Sequence, residues 1–369
     1  MSDKMKVAVI GCGRVAENHL KALTSDKVPG VLTAVCDIDA AKAKDKGEKY
    51  KVPFYTDYHE MLKKHPEVEM INVATPSGWH CRHVCDLAQY QRHILCEKPM
   101  ALTVDDCSRM IEATDKAGVR LFIVKQNRFN SAVVAARQAL DAGRFGKLVL
   151  VSVRVRWHRD AKYYQTDNWH GTWALDGGVM SQQASHHLDL LQWFGGPIEN
   201  VHCQHATRLM PIECEDTSVA FMKFKSGALG AYESTVCANP DNLEGSLSIL
   251  GEKGSVVIGG FAVNFIQTWK FNQPLPEDEE IKAKFSQDVP NVYGHGHNPY
   301  IAHVIDCIRG NKPAMVDGHE GRKDIQIMTA LYESSAIGGN AVVPGAPTPH
   351  VKLGQGVAHK PGFEAIPAR

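Results

Sequence analysis

The hexapeptide Gly11-Cys12-Gly13-Arg14-Val15-Ala16 follows a short β-rich run, Lys6–Ile10, and opens a stretch with helical periodicity, Val15–Leu23. A glycine turn between a strand and a helix leaves the first N–H groups of the helix free, and these suit a phosphate. Gly11 allows the tight turn, Gly13 lets the backbone approach a pyrophosphate, and the small Ala16 lets the helix pack closely on the strand. Asp37 ends the second expected strand, about 24 residues after Gly13. A carboxylate there accepts hydrogen bonds from both hydroxyls of a ribose and repels a 2′-phosphate. The pattern predicts NAD rather than NADP, held by Gly11, Gly13, Arg14, Val15 and Asp37. The alternative is a structural turn beside a solvated aspartate.

From residue 6 to 125 the expected strands are Lys6–Ile10, Thr33–Cys36, Met70–Val73, His93–Cys96 and Leu121–Val124. Helical stretches at Val15–Leu23, Ala40–Tyr50, His80–Tyr90 and Thr103–Ala117 separate them. Strands alternating with helices imply right-handed crossovers and a parallel sheet with helices on both faces. The pattern then changes. A helix at Ser131–Asp141 precedes Leu148–Trp157, where valines recur at every second position, as in a half-buried strand. Further strands are expected at Val201–Thr207, Ser218–Phe224, Ala228–Thr235, Ser246–Leu250 and Ser255–Ile258, with glycine turns at Gly227 and Gly251–Gly254. Such turns favour an open, mostly antiparallel sheet. Pro274–Pro290 reads as an acidic surface loop, and helices at Tyr300–Arg309 and Gly321–Ile337 close the chain. The expected class is α/β, with an N-terminal Rossmann domain over 1–126 and a C-terminal α+β domain over 127–369 expected to bind substrate.

Lysine plus arginine and aspartate plus glutamate both number 41, so no net field favours nucleic acid or an anionic membrane. No apolar run approaches the roughly 18 residues needed to span a bilayer. The N-terminus reads as entering a strand at once, without a signal peptide. Ten scattered cysteines without paired CxxC spacing suit reduced thiols and a cytoplasmic protein.

Cys96-Glu97-Lys98-Pro99 ends a further strand at the same edge of the first sheet, where the proline fixes the chain and directs Lys98 into the crevice. A solvated surface lysine is the ordinary alternative. In Asp176–Asp189, glycines lead into a helix on which Gln182, His186 and Asp189 fall at i, i+4 and i+7, one face. His187 beside them is read as wet or structural. Two adjacent histidines and an aspartate could suggest a metal, but no further ligand cluster accompanies them, and none is expected.

Taken together these motifs resemble the family of glucose–fructose oxidoreductases, inositol dehydrogenases and their sugar-oxidising relatives. The match includes GCGRVA, the Asp37 strand end, Ala74-Thr75-Pro76-Ser77 with His80, Glu97-Lys98-Pro99 and the GG…H..D segment. Gly318, Glu320, Gly321 and Arg322, with Tyr332-Glu333-Ser334 beyond, match the closing helix. The resemblance implies that Thr75, Pro76 and His80 line the nicotinamide side, and that Glu97 reaches the ribose region. It also implies that Lys98 binds the hydroxyl being oxidised while His186 takes its proton, so that the two meet at the reacting carbon. An ammonium would stabilise the developing alkoxide, and imidazole is suited to proton transfer near neutral pH. Gln182 stands where inositol dehydrogenases have an aspartate, so His186 must rely less on a partner, or draw polarity from Asp189 or the substrate.

Trp157-His158-Arg159, Tyr163-Tyr164 and Asn168-Trp169-His170-Gly171-Thr172-Trp173 interleave aromatics with amides and cations, as suits a sugar ring; core packing is the competing reading for each tryptophan. Gln126-Asn127-Arg128-Phe129 adds an arginine able to hold a phosphate or carboxylate. The run YYxxxxWxGTWALDGGVM, with Gly294-His295-Gly296-His297, is similar to a subgroup acting on nucleotide-linked amino sugars. That likeness implies oxidation of the C3 hydroxyl of UDP-N-acetylglucosamine, put first, or of its 6-carboxylate. The 3-keto sugar would then pass to an aminotransferase in lipid A or lipopolysaccharide O-antigen synthesis. Expected substrate contacts are Lys98, Asn127, Arg128, Arg156, Tyr163, Tyr164, Gln182, His186 and His297, with Trp169 placed on the cofactor. Arg154, Arg156 and Arg159 could serve a carboxylate or the UDP phosphates. The expected assembly is a dimer or tetramer through the C-terminal sheet. Other readings are an inositol or free-sugar dehydrogenase and a catalytically silent NAD- or sugar-nucleotide-binding sensor.

Overall fold

The computed structural model describes residues 4–289, 291–360 and 366–367. Pro290, the expected end of the acidic loop, and the outermost residues of both expected domains lie outside the described residues. The backbone forms two units. One comprises residues up to Gln126 together with His297–Arg322; the other comprises Asn127–Gly296 together with residues from Lys323 onward.

In the first unit β1 (Met5–Ile10), buried along almost its whole length, leads through the glycine turn into α1 (Ala16–Leu23). Then follow β2 (Gly30–Cys36), α2 (Ala40–Tyr50), β3 (Phe54–Tyr55), α3 (Tyr58–Lys64) and β4 (Met70–Val73). After these come α4 (His80–Leu87), β5 (His93–Cys96), α5 (Val104–Lys116) and β6 (Leu121–Ile123). The strands form one parallel sheet in the order β3-β2-β1-β4-β5-β6. The order reverses between β1 and β4, the switch point beside which such sheets bind ligands. Local chemistry sets the helix starts. The Asp39 carboxylate accepts from Ala41 N and Lys42 N, and Thr103 accepts from Asp106 N.

The second unit holds α6 (Ser131–Asp141), β7 (Leu148–Arg156), α7 (Ala161–Gln165), α8 (Ser185–Gly195), β8 (Ile198–Ala206) and β9 (Thr217–Phe224). It continues through β10 (Leu229–Thr235), β11 (Glu244–Gly251), β12 (Gly254–Gly259), β13 (Phe265–Phe271) and α9 (Ile281–Phe285). A seven-stranded sheet runs β13-β12-β11-β7-β10-β9-β8, antiparallel except for the β7–β10 pair. Strand alternation buries Val151, Val153 and Val155 of β7 with Ala220, Met222 and Tyr232 on one face, against which α8 packs. Three expectations change here. Phe265–Phe271 is a strand, the acidic loop contains the short helix α9, and the helix carrying His186 starts at Ser185, leaving Gln182 in the preceding turn.

α10 (His297–Arg309) and the first turn of α11 (Gly318–Ala336) belong to the first unit, although the expected boundary assigned them to the second domain. The physical reason is the β6 edge. Arg120 donates to Cys307 O at 2.6 Å and Lys312 O at 2.7 Å, Tyr300 Oη donates to Ile123 O, and Phe122 bridges Asp317. The returning segment thus covers an edge whose backbone groups would otherwise face solvent.

Candidate active site

In the first unit the glycine turn sits at the carboxyl end of β1. Gly11 has φ +92°, and a Cβ there would lie 2.4 Å from Ala74 O, so glycine is required. A Cβ on Gly13 would meet nothing within 4 Å, so the space beside it is open to a pyrophosphate. Arg14 is exposed and Val15 half-buried in the turn that enters α1. The Asp37 carboxylate faces this turn, accepting from Cys12 N at 2.7 Å and from Asp39 N at 2.9 Å. These residues fit the dinucleotide: a turn with an open flank, a helix N-terminus and a half-buried carboxylate. Cys12 in the turn is buried, and its thiol is pushed up to about 12, first by burial and then by Asp37, so it stays an unreactive thiol.

Thr75 and Pro76 follow β4, where the Thr75 hydroxyl meets His83 Nδ1 at 3.0 Å. His80, expected to line the nicotinamide, is 1% exposed. Its Nδ1 lies 2.8 Å from Pro99 O and its Nε2 lies 2.9 Å from Thr75 O, so it grips backbone. Burial pushes its pKa down.

Glu97 is likewise buried. Its Oε1 lies 2.8 Å from His19 Nε2, and its Oε2 accepts from Lys98 N at 3.1 Å. His297, expected on the substrate, is 5% exposed, with Nε2 3.8 Å from the same Oε1. Burial alone would raise the Glu97 pKa, but His19 and His297 outweigh it and hold the carboxyl well below the usual range. Among the described residues this trio is the one group whose side-chain atoms could hold a metal ion, all within 4.8 Å of one another. His19 and Glu97 form a hydrogen-bonded pair at 2.8 Å, with the His297 ring beside them. Lys98 itself is half-buried between Glu97 and Pro99. His19 and Asn72 were missed in the sequence, although a histidine on the buried stripe Ala16, His19, Leu20, Leu23 is a usable signal.

In the second unit His186 is 6% exposed in the first turn of α8. The turn before it wraps around two buried acids. Gln182 Nε2 donates to Asp176 Oδ1 at 2.5 Å, and Asp176 Oδ2 accepts from Gly171 N at 2.7 Å. Glu215 accepts from Met180 N and from Tyr332 Oη, both at 2.9 Å, and its backbone O accepts from Val179 N. A Cβ on Gly178 would lie 2.1 Å from Glu215 O, which explains the second glycine of the pair. Burial, with Asp176 adding to it, raises the Glu215 pKa to about 7.

Several expected contacts are corrected here. Arg128, 1% exposed, forks onto Asp189 through Nε at 2.9 Å and Nη2 at 2.5 Å and lies over the Trp193 ring. Neither Arg128 toward a phosphate nor Asp189 toward His186 is therefore placed as expected. Arg156 lies on the sheet face opposite the buried valines, where Glu233 at 2.6 Å and Glu244 at 3.3 Å neutralise it. Trp157 and Tyr164 are core, and Asn127 is 2% exposed. His187 is wholly buried, edge-on to Trp157, with its pKa pushed to about 3 by burial; it is structural. Tyr163 remains half-buried, and Trp169 stacks on His170 with ring centroids 3.7 Å apart.

A dinucleotide turn on a parallel sheet, in a chain whose mixed-sheet unit carries a buried histidine, fits an NAD-dependent oxidoreductase. Family models for the oxidoreductase NAD-binding Rossmann fold and the oxidoreductase C-terminal alpha/beta domain match residues 5–125 and 137–343, and the chain belongs to this Gfo/Idh/MocA family. It is 38% identical to the WlbA dehydrogenase of Bordetella pertussis, solved with NADH and UDP-GlcNAcA (TM-score 0.85), over 93% of this chain and 98% of that one. The WlbA dehydrogenase of Chromobacterium violaceum, solved with the same two ligands, is 40% identical over 94% of this chain and 98% of that one (TM-score 0.87). The myo-inositol 2-dehydrogenase of Thermotoga maritima is 28% identical over 89% of this chain and 96% of its own length. The protein is an enzyme that acts on a CH–OH group with NAD. Among the described residues no helix is long and apolar enough to cross a membrane.

Proposed function

We propose that this enzyme oxidises the C3 hydroxyl of a UDP-linked N-acetyl amino sugar to the 3-keto sugar, and that UDP-GlcNAcA, the 6-carboxylate, is the substrate. The observation that carries the reading is the likeness, at 38% and 40% identity over nearly the whole chain, to two dehydrogenases solved with that ligand. It reverses the order expected from the sequence, which put the 6-hydroxymethyl sugar first. Bound NAD supplies the hydride acceptor. Lys98 would donate to the hydroxyl oxygen and offset its growing negative charge, while His186 would accept the hydroxyl proton. Asp176, by holding the Gln182 amide, would take over one link removed the place of the aspartate found at that position in inositol dehydrogenases.

The product would be consumed by an aminotransferase condensing an amine with the ketone, in synthesis of a lipopolysaccharide sugar. The cytoplasm, where sugar nucleotides and NAD are held, is the proposed location. A second copy of the chain would cover the open sheet face. The test is absorbance at 340 nm with NAD and a panel of UDP-GlcNAcA, UDP-N-acetylglucosamine and inositols, with the aminotransferase added to draw off ketone. Reduction of NAD is expected with UDP-GlcNAcA first. Turnover of inositol without any UDP-sugar would overturn the substrate assignment.

A further inference from the structure

We propose that His19 is a positioning residue for the Lys98 turn, acting through the Glu97 carboxylate, with Asn72 fixing the ring for that task. The proposal rests on the reading that Lys98 holds the reacting hydroxyl, and it goes beyond that reading by assigning a residue that touches neither substrate nor cofactor.

Hydrogen-bond direction carries the argument. The Asn72 amide nitrogen, which can only donate, lies 3.0 Å from His19 Nδ1. With the amide in this orientation Nδ1 is the acceptor, which puts the ring proton on Nε2. From there it is donated to Glu97 Oε1 at 2.8 Å, while Glu97 Oε2 accepts from Lys98 N at 3.1 Å. Asn72 and His19 are completely buried and Glu97 is 3% exposed, so no water competes for these bonds. On the other side of Lys98, the Pro99 carbonyl meets His80. The turn is thus held at the residue before Lys98 and at the residue after it, by histidines from α1 and α4. The groups facing Glu97 are His19 from α1, His297 from α10, His80 from α4 and Lys98 from its own turn.

α1 also opens from the glycine turn, so one rigid helix of eight residues carries the pyrophosphate-facing N-terminus and, four residues in, the ring that holds Glu97. Seating of the dinucleotide and placement of the lysine are thereby tied to the same element. A buried carboxylate that loses its hydrogen-bond donor on Oε1 is held less firmly, with His297 still beside it, and that looseness passes to the Lys98 N–H bonded to Oε2.

The test compares His19→Leu with His19→Gln in the full chain. Glutamine keeps a donor able to reach Glu97, and leucine does not. His19→Leu should lower kcat by about 10- to 100-fold, the size expected for a lost charge-assisted bond, with NADH binding within about threefold of wild type. His19→Gln should recover most of that loss. A kcat within about twofold of wild type for His19→Leu, or equal losses for leucine and glutamine, would overturn the proposal. Nitrogen-15 spectra of the wild-type imidazoles give a reading that needs neither turnover nor a variant: His19 should be the Nε2–H tautomer, and the Nδ1–H tautomer would overturn the direction argued here. Failure of the substrate reading is separable, since it appears in the wild type as inactivity on UDP-sugars. The His19 ratios can then be read with whichever alcohol is oxidised.

Discussion

The Asp37 carboxylate accepts from the Cys12 N–H of the glycine turn on one oxygen and from Asp39 N on the other, before any ribose is bound. With Asp37 proposed to repel a 2′-phosphate, selection against NADP and the shape of the turn share one side chain. Asp37→Ala should relax the discrimination against NADP by about 10- to 100-fold and also raise the KM for NAD several-fold, because the turn loses its acceptor. A full pH 8 rate table for both cofactors would show it, and an unchanged NAD KM would mean that the turn holds without Asp37. The turn was readable in the sequence because its demands are local: only glycine tolerates a φ of +92° against Ala74 O. Arg128 was not, because its partner Asp189 lies 61 residues away and only folding brings the two together. An arginine after a strand looks the same whether it faces a phosphate or a buried aspartate. Removing either partner of that fork would leave a buried charge, at a cost of about 3–5 kcal/mol.

At the scale of elements, the turn before α8 is held by acids from elsewhere in the chain, and this is why its helix was expected too early. The spacing of Gln182, His186 and Asp189 fits a helix face, yet residues 179–183 form turns fastened to Glu215 through Val179 N and Met180 N, and the helix starts at Ser185. β13 was missed for a related reason: Phe265–Phe271 carries glutamine, lysine and tryptophan in an alternation that shows only once β12 is paired with it. Glu215 gives this turn a pH signature. An unfolded glutamate titrates near 4.5, whereas burial keeps the native proton on to about 7. Between these values the native state binds more protons than the unfolded state, so stability falls as pH rises through the window and levels off above it. Glu215→Gln has no proton to lose. Its stability relative to wild type should rise by about 3 kcal/mol between pH 4.5 and 7, measured by denaturant unfolding at each pH. A constant difference across that range would mean that Glu215 stays ionised in the native protein.

For the molecule as a whole, the face of the large sheet turned away from α8 is the surface proposed to take a second copy. Val219, Phe221 and Leu229 stand there 58%, 59% and 56% exposed, and His202 stacks on Phe221 at 4.4 Å. Beside them Arg154 and Arg156 pair with Glu233 and Glu244, so the face is apolar with neutralised charges. In the proposed assembly, Phe221→Asp should weaken self-association by about 100-fold or more, seen by light scattering as a shift to monomer. An assembly unchanged by Phe221→Asp would place the interface elsewhere. This face was legible in outline from alternation alone, but its arginines were taken for ligands because alternation does not say which face meets solvent.

The returning segment His297–Arg322 has a further meaning for how such chains can be recombined. What closes the β6 edge, and the His297 imidazole beside Glu97, come from more than 170 residues downstream of β6. A crossover at Gln126 that joined this N-terminal stretch to a foreign partner would carry the glycine turn and Lys98 but leave behind Tyr300, the carbonyls that hold Arg120, and His297. Homologous exchange must therefore move two separated stretches together, and divergence in one constrains divergence in the other as though they were adjacent in the gene.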